Sequence, residues 1–198
     1  MGQRGFQLVQ LLVVVAVLAV ALVSGLPPFL RWSSALRLRL AAAELVSTLR
    51  LTRMLAVQTS ARVGIKFRPH DDGRMTFTLH RDGDGDGVRT RDIDDGTDPQ
   101  IGPERQLQHV GAHVRMGFPP GVVPRDPGNP RRRLDRLDDP IRFNRSDIAA
   151  FSPLGQSTPG SLYLTDSRLG LVVIRVLAAS GRVRVLVYDV ATETWEPN

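Results

Sequence analysis

Hydrophobic and polar positions divide the chain into a charge-free N-terminal run, an amphipathic stem and a region of strand-like alternation. From Phe6 to Leu26 no residue carries a formal charge, and Val, Leu and Ala dominate. Twenty-one helical residues at about 1.5 Å each cover roughly 30 Å, the thickness of a bilayer's hydrocarbon core. A cleavable secretory signal has a shorter apolar centre followed by a small-residue site. Here the small residue, Gly5, precedes the run, and Ser24-Gly25-Leu26-Pro27-Pro28 ends it. The pattern predicts a retained transmembrane helix over residues 6–28.

From Phe29 to about Ala61 the chain is rich in Leu, Ala and Arg and holds no Gly or Pro, which predicts a continuing helix. Two apolar stripes run along it at helical spacing. One is Leu36, Leu40, Ala43, Ser47, Leu51 and Met54; the other is Leu38, Ala42, Leu45, Leu49 and Ala56. They fall on roughly opposite sides, with Arg39, Arg50 and Arg53 between them. A helix resting on one domain needs one stripe, so the second offers a surface to a neighbouring subunit. Pro27-Pro28 is expected to kink the helix.

At Arg62 the period changes to two. Arg62–Phe67 and Arg74–His80 alternate as strands around the turn Asp71-Asp72-Gly73. The acidic stretch Asp82–Asp98 reads as a loop, and His109–Phe118 as a strand interrupted by Gly111. Pro119–Pro140 is too rich in Pro, Gly and Arg to sustain regular structure. Ile141–Phe143, Ala149–Phe151 and Ser161–Thr165 are short strands. Leu171–Leu177 and Arg182–Tyr188, joined through Ala178–Gly181, form the clearest hairpin. The expected domains are therefore 6–28, the helical stem 29–61 and a β-rich head 62–198.

Charge changes this picture only when it is located. The net charge is +6, which invites a nucleic-acid partner. Residues 1–65 hold seven Arg against the single acid Glu44, whereas residues 66–198 hold nineteen basic and nineteen acidic residues. The excess belongs to the stem, the head is balanced, and nucleic acid is not the expected partner. With no Cys, disulfides and thiolate metal sites are excluded and packing alone holds the head.

Arg4-Gly5-Phe6-x-Leu8-Val9 resembles the leader and processing site of type IV pilins and type II secretion pseudopilins. The resemblance implies a leader over residues 1–5, cut by a prepilin peptidase between Gly5 and Phe6, with methylation of Phe6. It also gives Pro27 the place of the helix-kinking proline. Gln10 stands where the family has an assembly Glu, and Gln accepts a hydrogen bond without neutralising a charge. Phe151–Gly155, Pro159–Leu164 and Ser180–Arg184 resemble the C-terminal half of the GspH/FimT group of minor pseudopilins. The positive-inside rule applied to Arg31, Arg37 and Arg39 points to the opposite orientation; the leader resemblance is followed here.

Among constellations, Asp82-Gly-Asp84-Gly-Asp86-Gly87 spaces carboxylates as an EF-hand loop opens, with Gly at the sixth position. Thr90 stands at the ninth. The twelfth is Ile93, with Asp92 and Asp94 on either side. Calcium is the candidate ion, and a solvated acidic turn is the other reading. Arg131, Arg132 and Arg133 are candidate contacts for phosphate or an acidic partner, amid Asp126, Asp135, Asp138 and Asp139. His109 and His113 lack the Glu of a zinc-protease helix. Ser157 lacks a nucleophile elbow. No catalytic site is expected and no cofactor is required.

The reading is an α+β, pilin-like protein: a long N-terminal helix, membrane-spanning in its first half, packed on an antiparallel β-sandwich head. The resemblance implies a minor pseudopilin of a type II secretion or type IV pilus fibre, single-pass in the inner membrane with a periplasmic head. Its partners would be other pilins or pseudopilins, the prepilin peptidase and the inner membrane. The alternative is a FimT-like DNA-binding minor pilin used in DNA uptake.

Overall fold

The computed structural model describes residues 3–111, 113–144 and 146–198, with side chains at residues 10–20 and, within those ranges, from Trp32 onward. Helix α1 is Gln3–Gln58 and the short helix α2 is Thr90–Asp94. The strands in chain order are β1 Val63–Pro69, β2 Met75–Arg81, β3 Arg105–Gln106, β4 Arg115–Met116, β5 Arg125–Asp126 and β6 Asn129–Arg133. They continue with β7 Ile141–Arg142, β8 Ile148–Phe151, β9 Gly160–Thr165, β10 Leu171–Val176, β11 Val183–Asp189 and β12 Thr194–Pro197. The chain divides into two units, residues 1–36 and 37–198.

In the first unit, the described side chains from Gln10 to Val20 are exposed. In the second, all strands pair antiparallel. One sheet runs β3-β2-β1-β8, a second β12-β11-β10-β9-β4, and a third is the pair β5-β6. β7 shares the outer edge of β9 with β4, pairing Ile141 with Leu162 while β4 pairs Met116 with Leu164.

The largest core cluster shows why these elements meet. Leu38, Ala41, Ala42, Leu45, Val46, Leu49 and Ala56 of α1 are buried with Val63, Ile65 and Phe67 of β1 and with Phe77 and Leu79 of β2. Leu162 and Leu164 of β9 and Val172, Ile174 and Val176 of β10 belong to the same cluster. The stripe Leu38-Ala42-Leu45-Leu49-Ala56 is thus the head-facing side. Leu36, Leu40 and Met54, on the other stripe, remain 42%, 43% and 49% exposed.

The second sheet is covered on both faces. Leu171 and Val173 of β10 pack with Phe118, Leu134, Tyr163 and Tyr188 in a separate cluster, against Trp195. Burial on both sides accounts for the unbroken apolar run of β10. The first sheet has a smaller second cover, where Val88 and Ile93 lie against Ile148 and Ala150.

Several expectations are corrected. The pilin-like α+β plan is corrected: residues 37–198 are built mainly from antiparallel sheet. No helix among the described residues is long and apolar enough to cross a membrane. The side chains of residues 6–9 and 21–28 of the expected segment lie outside the described residues. The transmembrane segment over 6–28 and the single-pass inner-membrane location with a periplasmic head are therefore not supported, and neither are the pseudopilin and secretion assignments that depended on them. Within the head, His109–Phe118 yields only β4, because Gly111 donates to the Val114 carbonyl in a turn at 2.6 Å. Pro119–Pro140 holds the exposed hairpin β5-β6, pinned by the side-chain contacts described below.

The two stripes of α1 predict different costs. Leu45 is fully buried, so Leu45→Ala should destabilise the head by about 2–5 kcal/mol. Leu40→Ala, on the exposed stripe, should change it by no more than about 0.5 kcal/mol. Urea denaturation of the two variants measures the difference.

Candidate functional site

The acidic loop between β2 and β3 is held by one buried carboxylate. Asp98 is 1% exposed; its Oδ1 accepts from the Gly83 N–H at 3.0 Å and its Oδ2 from the Arg89 N–H at 3.0 Å. Gly83 is required here by close approach: a Cβ at that position would lie 1.9 Å from the Thr97 carbonyl oxygen. Asp98 thereby closes the loop on itself. Beneath it, His80 is buried, its Nδ1 3.2 Å from the Asp98 carbonyl oxygen and its Nε2 2.9 Å from Thr78 Oγ1. Burial lowers the His80 pKa below its ordinary value, so the ring is neutral at pH 7.

Within the loop, Asp82 accepts from the Gly85 and Gly87 N–H groups at 2.7 and 3.0 Å, and Asp84 from the Asp86 N–H at 3.2 Å. These turns draw the carboxylates of Asp82, Asp84 and Asp86 together, with ligand oxygens within 4.8 Å of one another. The Asp86 N–H lowers the Asp84 pKa, while desolvation and the neighbouring Asp84 charge raise that of Asp86. Asp92 and Asp94 are outside the cluster. Asp92 is half-buried on α2 with its Oδ2 buried and unpartnered, Asp94 is exposed, and Thr90 is half-buried. Offering one oxygen each, the three carboxylates supply half or less of the six to eight oxygens calcium takes. Asp86 is already ion-paired with Arg89. The loop has the opening of a hard-cation site without its closing ligand.

The three consecutive arginines do not converge. On β6, period two sends Arg131 and Arg133 to one face and Arg132 to the other. Arg131 and Arg132 are exposed. Arg133 donates to the Val123 carbonyl at 2.7 Å and to Glu193 at 2.6 Å, and Arg125 reaches the other Glu193 oxygen at 2.8 Å. Trp195 Nε1 donates to the Arg125 carbonyl at 2.7 Å. The arginine-rich loop is therefore a clasp between the β5-β6 hairpin and the turn before β12. Its two inner guanidiniums share one carboxylate.

His109 and His113 are exposed and line a cavity of about 200 Å³ with Arg37. Glu44 accepts from the Gln108 and His109 N–H groups at 2.7 and 2.8 Å. Ser157 Oγ donates to the Leu177 carbonyl at 3.1 Å, so its hydroxyl caps backbone. Gln10 is exposed on α1. The side chains of Gly5, Phe6 and Pro27, and residues Met1 and Gly2 of the expected leader, lie outside the described residues.

One cluster escaped the sequence reading. Arg50 and Arg53 of α1 and Arg182 at the start of β11 line a cleft of about 300 Å³ with Leu49, Phe151 and Gly181. Gly181 has φ 58°, and a Cβ there would lie 2.6 Å from the Gly155 carbonyl oxygen. The close approach of these two turns brings Arg182 to the helix. The only signal in the sequence was the placement of Arg50 and Arg53 between two apolar stripes.

No protein-family model matches the chain, and no curated protein or solved structure is similar to it.

His80 gives the loop a pH dependence. Its folded pKa lies below the ordinary 6.5, so the unfolded chain takes up the proton first. Stability is complete above about pH 6.5 and is lost as the pH falls toward the folded value. Thermal melts from pH 8 to 5 should show this fall, and His80→Gln should flatten it.

Proposed function

We propose that the chain is a structural, non-enzymatic subunit of a pilus-like fibre that assembles through helix α1, the function implied by the resemblance at Gly5-Phe6. The observation that carries the reading is the apolar surface of Leu11–Val20. Leu11, Leu12, Val13, Val14, Val15, Val17, Leu18 and Val20 are 49% to 66% exposed. At 100° per residue these positions reach every side of the helix, and a helix that is apolar all round is a buried helix. The same helices from neighbouring copies provide the cover. Burial at roughly 25 cal/mol per Å² supplies the driving force. Leu40 and Met54, exposed on the second unit, offer a further apolar contact.

The DNA-binding alternative draws less support. The arginines in the hairpin β5-β6 are divided between two faces, and Glu193 neutralises two of the loop's guanidiniums.

Electron microscopy and sedimentation of the full chain test the proposal. The expected outcome is filaments or large oligomers. Leu12→Asp with Val15→Asp should abolish them while leaving the head's circular dichroism and melting unchanged. Monomers from both proteins, or assembly indifferent to the substitutions, would sink the reading. Co-expression with a prepilin peptidase should remove residues 1–5, and Gly5→Val should block the cut; an intact Met1 by mass spectrometry removes the resemblance as support.

A further inference from the structure

Two exposed clusters of opposite charge stand out on the head, and each has the form the other needs. The cleft lined by Arg50, Arg53 and Arg182 contains no acidic side chain. None of its arginines is ion-paired among the described residues. Arg50 and Arg182 are exposed, and Arg53 is half-buried beside Gly155, where an added Cβ would lie 3.0 Å from its guanidinium. Phe151 and Leu49 form the apolar part of the wall, which lowers the local dielectric and strengthens attraction for an incoming carboxylate.

The acidic stretch Asp82–Asp98 carries seven Asp against Arg89 and Arg91. Its tip is Asp84-Gly85-Asp86. All three residues are exposed, and a Cβ on Gly85 would meet nothing within 4 Å. Asp98 and the Asx turns hold this tip in a fixed shape, so little ordering entropy opposes its docking. It is a preformed acidic knob in which Asp84 has no ion-pair partner among the described residues, while Asp86 is paired with Arg89.

We propose that the Arg50-Arg53-Arg182 cleft of one copy receives the Asp84-Gly85-Asp86 tip of a second copy. The inference rests on the fibre-subunit reading and adds the head contact that sets the register between neighbours. Charge complementarity selects the occupant: the chain carries its own acidic knob, and assembly through α1 presents it at high local concentration. Cleft and knob are different surfaces, so the contact is heterologous and each copy leaves one of each open. Such contacts propagate into open filaments unless they close into a ring. Exposed ion pairs are individually weak and salt-sensitive, so the contact fixes orientation while α1 supplies the adhesion.

The absence of native cysteine permits a direct test on the full chain. Differently tagged D84C and R182C chains are mixed, assembled and mildly oxidised. The expected product is the D84C–R182C cross-link, at least about tenfold over that between D84C and an exposed control, R168C, because Asp86 with Arg50 and Arg53 still holds the docking register. It should fall away in 1 M salt, where screening acts within about 3 Å. In a second arm, R182E should shorten assemblies, and mixing it with D84R/D86R chains should restore them. Assemblies without the cross-link and indifferent to R182E overturn this contact and leave the fibre reading standing. A chain that never assembles overturns both. Duplex DNA binding at physiological salt, lost in R182E with assembly unchanged, also overturns the contact and assigns the arginines to phosphate.

Discussion

Burial of one face of the segment 37–58 is the constraint on which the rest of the head depends. Its Leu and Ala side chains join strands of both large sheets in a single cluster. Without that segment, Ile65, Phe77, Leu164 and Ile174 would lose a shared wall. At roughly 1.5–3 kcal/mol for each fully buried large aliphatic side chain, three leucines on this face outweigh any surface ion pair in the molecule. The small residues Ala41, Ala42 and Ala56, all at 0–1% exposure, allow the backbone to approach the sheets closely.

Polar side chains then fix what packing leaves loose. Glu44, the sole acid among the first 65 residues, accepts two backbone N–H groups from the loop before β4. Asp98 does the same for the acidic loop, and Glu193 ties two arginines across the β5-β6 hairpin. In each case one carboxylate organises a segment that lacks a regular hydrophobic pattern. A chain without disulfides relies on such contacts to hold its long connections in place.

Much of this was legible in the sequence where side-chain period was strong. The alternation in Val63–Phe67 and Met75–Leu79 and the long run Leu171–Val176 identified their strands. The two stripes of the stem separated the buried face from the exposed one. Legibility failed where structure comes from distant partners. β5 and β6 form because Glu193 and Trp195, some sixty to seventy residues away, anchor them, and no local pattern announces this. The cleft of Arg50, Arg53 and Arg182 is likewise assembled by two turns meeting at Gly155 and Gly181. The spacing of Asp82, Asp84 and Asp86 did foretell their convergence. It did not foretell that Arg89 would already neutralise one of them. The membrane expectation rested on the uncharged run from Phe6 to Leu26, and no helix among the described residues is long and apolar enough to cross a membrane.

The sheets end in short strands. β3, β4 and β7 have two residues each, and the outermost strand β12 has four and finishes in Pro197, which has no N–H to offer. A passing chain therefore finds few free backbone groups in a row along these strands. Short edges of this kind disfavour the merging of sheets between neighbouring copies. Association is left to side chains, which can be reversed, and is kept away from backbone pairing, which in a cross-β stack is very hard to undo.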